Sequence, residues 1–208
     1  MAKANTTKAK PKDRKSTILD AARRIISNSG IQGATLRAIA EEAEISTGAI
    51  YYYFSSKEEI LYALMDESLS VSTRIASIAR VGEIDRNKLI EEISENVQQR
   101  FKKNADNRVQ FYLAQEAIMG DTELMDKFKI KYEEWTGRTD ELLKILYKNP
   151  PTKYDDAVAS LLIGAIDGAV MQILMKANKA SIEDLSKVYD LLLKEGIPSF
   201  LEKIKKLE

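Results

Sequence analysis

The sequence predicts an all-α chain. Three observations carry that prediction. Apolar residues recur at helical spacing, first as Ile18, Ala21, Ala22, Ile25 and Ile26, which puts them on one face of a helix. Only four prolines occur in 208 residues, so long helices meet few breaks. The apolar–polar alternation that marks a half-buried strand is hard to find. The expected architecture is a short N-terminal bundle followed by a larger helical domain, about nine to ten helices in all.

Residues 1–12 are Lys, Ala, Thr and Pro with almost nothing apolar, and are expected to form a disordered basic arm. The first helix should run over about 13–28, with Gly30 just past its end as a cap. A second begins near Thr35 and turns Leu36, Ile39, Ala40 and Ala43 inward. Glu44-Ile45 then forms a turn into the stretch 46–54, Ser-Thr-Gly-Ala-Ile-Tyr-Tyr-Tyr-Phe. Ser46 is a good N-cap, because its hydroxyl can accept from a backbone N–H one turn on. Ile50 and Phe54 are four apart and can anchor one side in a core. Thr47, Ala49, Tyr51, Tyr52 and Tyr53 are left to face outward in varying degrees. So short a helix cannot stand alone in water and needs bracing by its neighbours. The second and third helices form a tight helix-turn-helix.

Ser55-Ser56 caps a long fourth helix from Lys57, with a stripe of Ile60, Leu61, Leu64 and Met65 continuing to Val71, Ile75 and Ile78. The fifth helix covers about 85–103 on Leu89, Ile90, Ile93, Val97 and Phe101. The sixth follows over 106–119. The seventh runs over 121–147, with Gly137 a place where it can bend. Pro150-Pro151 ends that region. The eighth covers 152–178. The ninth starts at Ser181, where Ser181-Ile182-Glu183-Asp184 resembles a capping box with Asp in place of the usual Glu. Gly196 and Pro198 should stop it and start a short terminal helix.

Composition limits the chemistry. Apolar residues make up 44% and charged residues 31%, and there is neither cysteine nor histidine. Disulfides, thiolate and imidazole catalysis and most zinc sites are thereby excluded. No glycine-rich phosphate loop and no isolated carboxylate pair is present, so an enzyme is not expected, nor a cofactor or bound metal. Net charge is zero but unevenly placed: residues 1–40 carry nine Lys/Arg against Asp13 and Asp20. A basic end on an acidic body suggests an end that binds a polyanion. The basic N-terminus lacks the apolar run of a secretory signal, which fits a cytoplasmic protein. Residues 157–175 are polar only at Ser160, Asp167 and Gln172. An Asp at a bilayer centre costs on the order of 2.5–3.5 kcal/mol, and amphipathic helices flank the segment. It is read as a buried helix, with no membrane involved.

Residues 18–62 resemble the DNA-binding domain of the tetracycline-repressor (TetR) family. The pattern is Ile18-Leu19-Asp20-Ala21-Ala22, Gly30, Ala34-Thr35, Ile39-Ala40, Ala43, Ile45-Ser46, Gly48, Ile50-Tyr51, Tyr53-Phe54 and Lys57-Glu58-Glu59. It departs in two places. Glu44 stands where the family usually has Gly, and Ala34 where it often has the first of a Thr pair. If position 44 needs a positive φ, Glu there carries strain of order 1 kcal/mol. The resemblance implies a homodimeric regulator, usually a repressor, released from a near-palindromic double-stranded operator by a small molecule. It implies a DNA-binding domain over 13–58 and a ligand-binding and dimerisation domain over 59–208. By position, Thr47, Ala49 and Tyr52 would face bases, with Ser46 and Gly48 opening the reading helix. Thr35, Tyr51, Tyr53 and Lys57 would face phosphates. Ala and the Thr methyl suit thymine methyls, and phenols and lysine suit phosphate oxygens. Arg37 is a further phosphate candidate.

Three expectations concern the larger domain. Ser160, Gly164 and Gly168 recur every four residues and permit close helix approach. With Leu185, Val188 and Leu192 they mark the eighth and ninth helices as the dimer interface. A mainly apolar effector is expected among the fourth to eighth helices, with a few polar groups fixing its orientation. Phe111, Tyr112, Gln115 and Met119 are candidate lining residues from the first half of that domain, and Phe128, Trp135, Asp167 and Met171 from the second. Asp167, a carboxylate in an apolar helix, needs a partner: a ligand cation or hydroxyl, or a basic residue such as Arg138. The fourth helix is expected to act as the lever between ligand and DNA. The rival reading is a helical protein-interaction module that has lost DNA binding; an activator or a nucleoid-like role would need the same motif.

Overall fold

The computed structural model describes residues 13–69, 75 and 85–207. Among these the only regular elements are helices. The chain divides into two compact units, one ending at Leu64 and the other beginning at Met65.

The first unit holds α1 (Arg14–Gly33), α2 (Leu36–Glu42), α3 (Thr47–Tyr51) and the start of α4 (Lys57–Leu69). Its core is the predicted stripe. Ile18, Ala21, Ala22, Ile26, Ile39, Ile50, Phe54, Ile60, Leu61 and Leu64 are all buried. Gly30 is not the end of α1 but a break within it, at φ 73°, a backbone setting that glycine adopts without Cβ conflict. Each short helix is started by a hydroxyl. Thr35 Oγ1 accepts from the Ala38 N–H at 3.1 Å, and Ser46 Oγ from the Ala49 N–H at 3.2 Å. Ser56 Oγ accepts from the Glu59 N–H at 3.1 Å, while the Glu59 carboxylate reaches back to the Ser55 N–H at 2.6 Å. Such reciprocal caps satisfy donors that a helix start leaves orphaned.

The turn between α2 and α3 runs through Glu44 at φ 56°, the left-handed setting that glycine takes more readily. Glu44→Gly should therefore raise the thermal stability of the first unit by up to about 1 kcal/mol, less whatever the glycine adds to unfolded-chain entropy. Thermal denaturation followed by circular dichroism tests this. A lower melting temperature would mean that the Glu side chain makes a compensating interaction.

The second unit holds α5 (Arg86–Lys102), α6 (Asn104–Ile118), α7 (Thr122–Tyr147), α8 (Asp155–Leu174), α9 (Ile182–Leu191) and α10 (Ile197–Ile204). The expected stripe positions Val71 and Ile78 lie outside the described residues; Ile75 is buried. One apolar cluster joins Leu89 and Ile90 of α5 to Leu143 and Leu146 of α7 and Val158 of α8. A second joins Val97 and Phe101 of α5 to Val170 of α8, with Phe111 and Leu185 packed against it. The helix α7 runs unbroken through Gly137. The eighth helix is shorter than expected at its C-terminus, because Lys176 takes φ 56° and ends it.

The expected stop at Gly196 is absent. Residues Leu192–Gly196 form a π turn that carries the helical path into α10. Pro198 sits in the first turn of α10 and, lacking an N–H, offers no donor to the carbonyls of the π turn. The π turn alters carbonyl pairing, and the Tyr147 hydroxyl donates to the Leu193 carbonyl at 2.5 Å. Residues 205–207 close the described chain as a short 3-10 turn.

Candidate functional site

The first unit presents one outward face. Ile50 and Phe54 point into the core, so helical geometry turns the rest of α3 to solvent. Tyr52 is 83% exposed and Tyr51 57%. Tyr53 is half-buried, its ring edge-on to Tyr52 with centroids 4.9 Å apart. Thr47 and Ala49 are half-buried in the first turn, and Ser46 and Gly48 are exposed. A Cβ placed on Gly48 would meet nothing closer than the Ser46 Oγ at 3.9 Å. The fold therefore gives no internal reason for glycine there. A shallow groove of Arg14, Glu44, Ser46, Ala49, Tyr52 and Tyr53 runs beside α3. Arg14 was not anticipated; it opens α1 and its sequence signal was submerged in the basic arm.

Two phosphate candidates carry internal duties as well. The Lys57 ammonium donates to the Ile31 carbonyl at 2.9 Å, tying α4 to the end of α1. Arg37 pairs with Glu41 one turn on at 3.0 Å, both well exposed. Thr35 is exposed, and because its oxygen accepts within the cap, its O–H remains able to donate outward.

The second unit contains a cavity of about 260 Å3 between α5, α6, α7 and α8. Its apolar walls include Val97, Trp135, Leu142, Ile163 and Ile166, and its polar wall includes Arg100, Gln110 and Asp167. Of the eight residues expected to line it, the structure brings Trp135 and Asp167 there. Phe111 packs against the Val97–Phe101–Val170 cluster instead, and Phe128 is buried core. Tyr112 is half-buried and Gln115 exposed. Met119 and Met171 are exposed, the first at the end of α6 and the second on the outer face of α8. The reason is rotation of α6, which turns Asn107, Val109, Gln110, Leu113 and Ala117 inward and so carries Gln115 outward.

Asp167 does have a basic partner, but it is Arg100 and not Arg138. The Arg100–Asp167 separation is 3.6 Å, with the side chains 11% and 19% exposed. Arg138 pairs with Glu134 of its own helix. The Arg100 guanidinium also donates to the side-chain oxygens of Asn107 and Gln110. Asp167 accepts from the Tyr132 hydroxyl at 2.7 Å and from Gln110 Nε2 at 3.4 Å. Burial pulls the Arg100 pKa down, against the charges of Asp167, Tyr132 and Asp106. Burial, then the Asp167 charge and hydrogen bond, push the Tyr132 hydroxyl up. One carboxylate thus meets groups from α5, α6 and α7. No group of acidic residues suited to a metal ion occurs among the described residues.

The eighth helix has an open side. By length and composition it could cross a membrane, and only 17% of its most apolar stretch is buried within the chain, so it is not the fully buried helix expected from its composition. Leu161 is 67% exposed, and Met171 and Met175 are exposed on the same side. Ser160 and Gly164 are exposed too. A Cβ on Gly164 or on the half-buried Gly168 would meet nothing within 4 Å. On α9 and the following turn, Val188, Leu191 and Leu192 are exposed. Leu185 departs from the expected outer stripe, being half-buried against Val97, Phe101 and Val170.

Residues 18–64 match the family described as bacterial regulatory proteins, tetR family. That match covers the helix-turn-helix unit, not the larger helical unit after it. A nicotine-responsive transcriptional repressor of Paenarthrobacter nicotinovorans, HdnoR, is 41% identical over 69 residues, 33% of this chain and 34% of that one. Against the curated relatives it matches, the chain spans less than half of their length. Solved structures extend the likeness to most of the chain. The fatty acid degradation regulator FadR of Bacillus halodurans is 25% identical with a TM-score of 0.65, covering 90% of this chain and 98% of that one. A transcriptional regulator of Saccharomonospora viridis, solved with choline, shares the fold at 19% identity and a TM-score of 0.63, covering 87% of this chain and 96% of that one. The family match accounts for the helix-turn-helix, and the solved structures show that the larger helical unit after it shares their fold.

Proposed function

We propose that this chain is a cytoplasmic transcription regulator of the TetR family that binds a near-palindromic operator as a homodimer and is released by a small molecule. The observation that carries the reading is the outer face of α3. A three-tyrosine run on a capped helix leaves Tyr52 at 83% exposure, beside a glycine the fold does not require. A helix that exposes small residues first and phenol hydroxyls after them suits a major groove. The helix-turn-helix occurs once per chain, so two-fold symmetry supplies the second reading head. Half-site centres then lie about 34 Å apart, or a multiple of that.

The open sides of α8 and α9 support self-association, since an apolar surface of that extent calls for cover. The cavity beside Asp167 supports an effector, as do the nicotine response named for one relative and the choline bound to another. The boundary between the two units falls within α4, which makes that helix the natural carrier of coupling. Coupling of about 1–3 kcal/mol would weaken operator binding roughly five- to 150-fold.

Gel shifts with random genomic fragments, then with the fragment retained, test the reading. Tyr52→Ala should lower specific binding by about 1–3 kcal/mol while sparing non-specific binding. Gly48→Ala should leave the fold intact or add up to about 1 kcal/mol of helix stability, yet weaken operator binding by about an order of magnitude. Equal loss of specific and random binding in Tyr52→Ala would refute base reading. Failure of the parent protein to retain any fragment would favour the interaction-module alternative.

A further inference from the structure

The polar wall of the cavity is not electrically symmetrical. Arg100, Lys103 and Arg138 line it with one carboxylate, Asp167, and of these Arg138 is already paired with Glu134 of its own helix. The asymmetry is sharper in the bonding than in the count. Both oxygens of Asp167 are engaged, Oδ2 by the Tyr132 hydroxyl at 2.7 Å and Oδ1 by Gln110 at 3.4 Å. Arg100 is served differently. Its hydrogen bonds go to two neutral amide oxygens, Asn107 Oδ1 and Gln110 Oε1. Its counter-charge Asp167 stands at 3.6 Å, an ion pair longer than a normal hydrogen bond. A guanidinium has more N–H donors than those two bonds use, and a charge this buried is costly until an anion meets it closely.

Asn96, Gln99 and Thr139 are the other polar residues on the wall, and the remainder is apolar. Val97, Leu142, Ile163 and Ile166 form a wall on which a hydrocarbon body can lie, and Trp135 is the aromatic ring among the lining residues. Quaternary ammonium groups favour a cage of several aromatic faces. A single ring beside the buried Arg100 guanidinium is a poor place for one.

We propose that the effector of this cavity is an amphipathic carboxylate, its head held by Arg100 and its apolar body against Trp135, Leu142, Ile163 and Ile166. The proposal rests on reading the second unit as ligand-binding. The entering carboxylate takes the donors of Arg100 that Asp167, at 3.6 Å, holds only loosely. Asp167 is then a positioning residue: with Gln110 and Tyr132 it aims the guanidinium, and it is also the negative charge that the ligand head has to tolerate. Three helices meet at Asp167 besides its own, so a head that draws Arg100 away shifts α5 against α6, α7 and α8.

Trp135 is the single tryptophan of the chain, so its fluorescence reads the cavity directly. The full chain is titrated with decanoate, decanol and decyltrimethylammonium, which share a tail and differ in head charge. Decanoate should bind about ten- to a hundredfold tighter than decanol, the scale of a charge-assisted hydrogen bond, and the ammonium weaker than either. Equal binding of decanoate and decanol, tighter binding of the ammonium, or no response to any probe would overturn the proposal. Arg100→Gln should abolish the decanoate preference but leaves Asp167 buried without its cation and can unfold the bundle. Asp167→Asn is the safer variant, because it is isosteric and still accepts from Tyr132. It should tighten decanoate severalfold and leave decanol unchanged; a folded Asp167→Asn protein that binds decanoate more weakly counts against the proposal.

The same titration with the operator fragment present separates the two readings. Decanoate that binds with its head-group preference but with equal affinity with and without DNA supports the carboxylate site and refutes its role as an effector site.

Discussion

Leu161→Asp should turn the proposed homodimer into a folded monomer. Leu161 stands at the middle of the open side of α8, 67% exposed, between Ala157 and Gly164. Positions 157, 161, 164, 168, 171 and 175 alternate steps of four and three residues, the spacing of a helix seam that meets another helix. A two-fold interface uses the same patch on both copies, so each substitution acts twice. A carboxylate buried there without a partner costs on the order of 3 kcal/mol or more per copy. Doubled, that moves a nanomolar dimer past micromolar dissociation. The subunit itself should be untouched, since the side chain leaves no hole in the intrachain core. Gly164→Leu should act the same way by bulk alone, because a Cβ at Gly164 meets nothing within the subunit. Sedimentation at low micromolar concentration, with circular dichroism as the folding control, reads both variants. A folded Leu161→Asp protein that remains fully dimeric would place the interface elsewhere. A monomer should also lose specific DNA binding, because only one reading head remains.

How much of this was legible in the sequence depended on where the deciding contact lies along the chain. The α3 face was legible because its determinants are local: Ser46 caps, Ile50 and Phe54 anchor, and what remains points outward. The strain at Glu44 was legible for the same reason. The open side of α8 was half legible. The small residues at 160, 164 and 168 stood out, whereas Leu161, Met171 and Met175 read as ordinary core until burial was known. Leu185 was misplaced because helical spacing alone does not say which of two apolar stripes on α9 faces inward. Arg100 was not legible at all. A basic residue near a helix end normally lies in water, and this one is buried only because Asn107, Gln110 and Asp167 converge on it from two other helices. Asn107 and Gln110, one turn apart beside Val109 and Leu113, were the available signal, being amides on an apolar face. The π turn at Leu192–Gly196 was equally hidden, since glycine and proline together read as a stop when the tertiary bond from Tyr147 is unknown.

Phe54→Ala should abolish DNA binding without contacting DNA. Phe54 is 2% exposed and among the largest fully buried side chains, and the Lys15 ammonium lies 5.4 Å from its ring centroid. It holds the end of the α3 turn, where the Phe54 N–H donates to the Ile50 carbonyl at 2.9 Å. Removing a buried Phe costs about 3–5 kcal/mol, part lost transfer energy and part cavity. Whole domains are stable by only about 5–15 kcal/mol, and the first unit is the smaller of the two. The loss should therefore unfold it or leave α3 without its anchor. The second unit has separate apolar clusters around Leu89–Leu143 and Val97–Val170, and its fold should persist. Three readouts distinguish this from general collapse. Gel shift should show no specific complex, sedimentation should still show the proposed dimer, and Trp135 should keep whatever decanoate response the parent chain has. Tyr52→Ala is the control, because an 83% exposed side chain can lose its base contact at little cost in stability. If Phe54→Ala instead abolished the dimer and the Trp135 response as well, the two units would fold as one cooperative body, and the division at Leu64 would describe contacts alone and not stability.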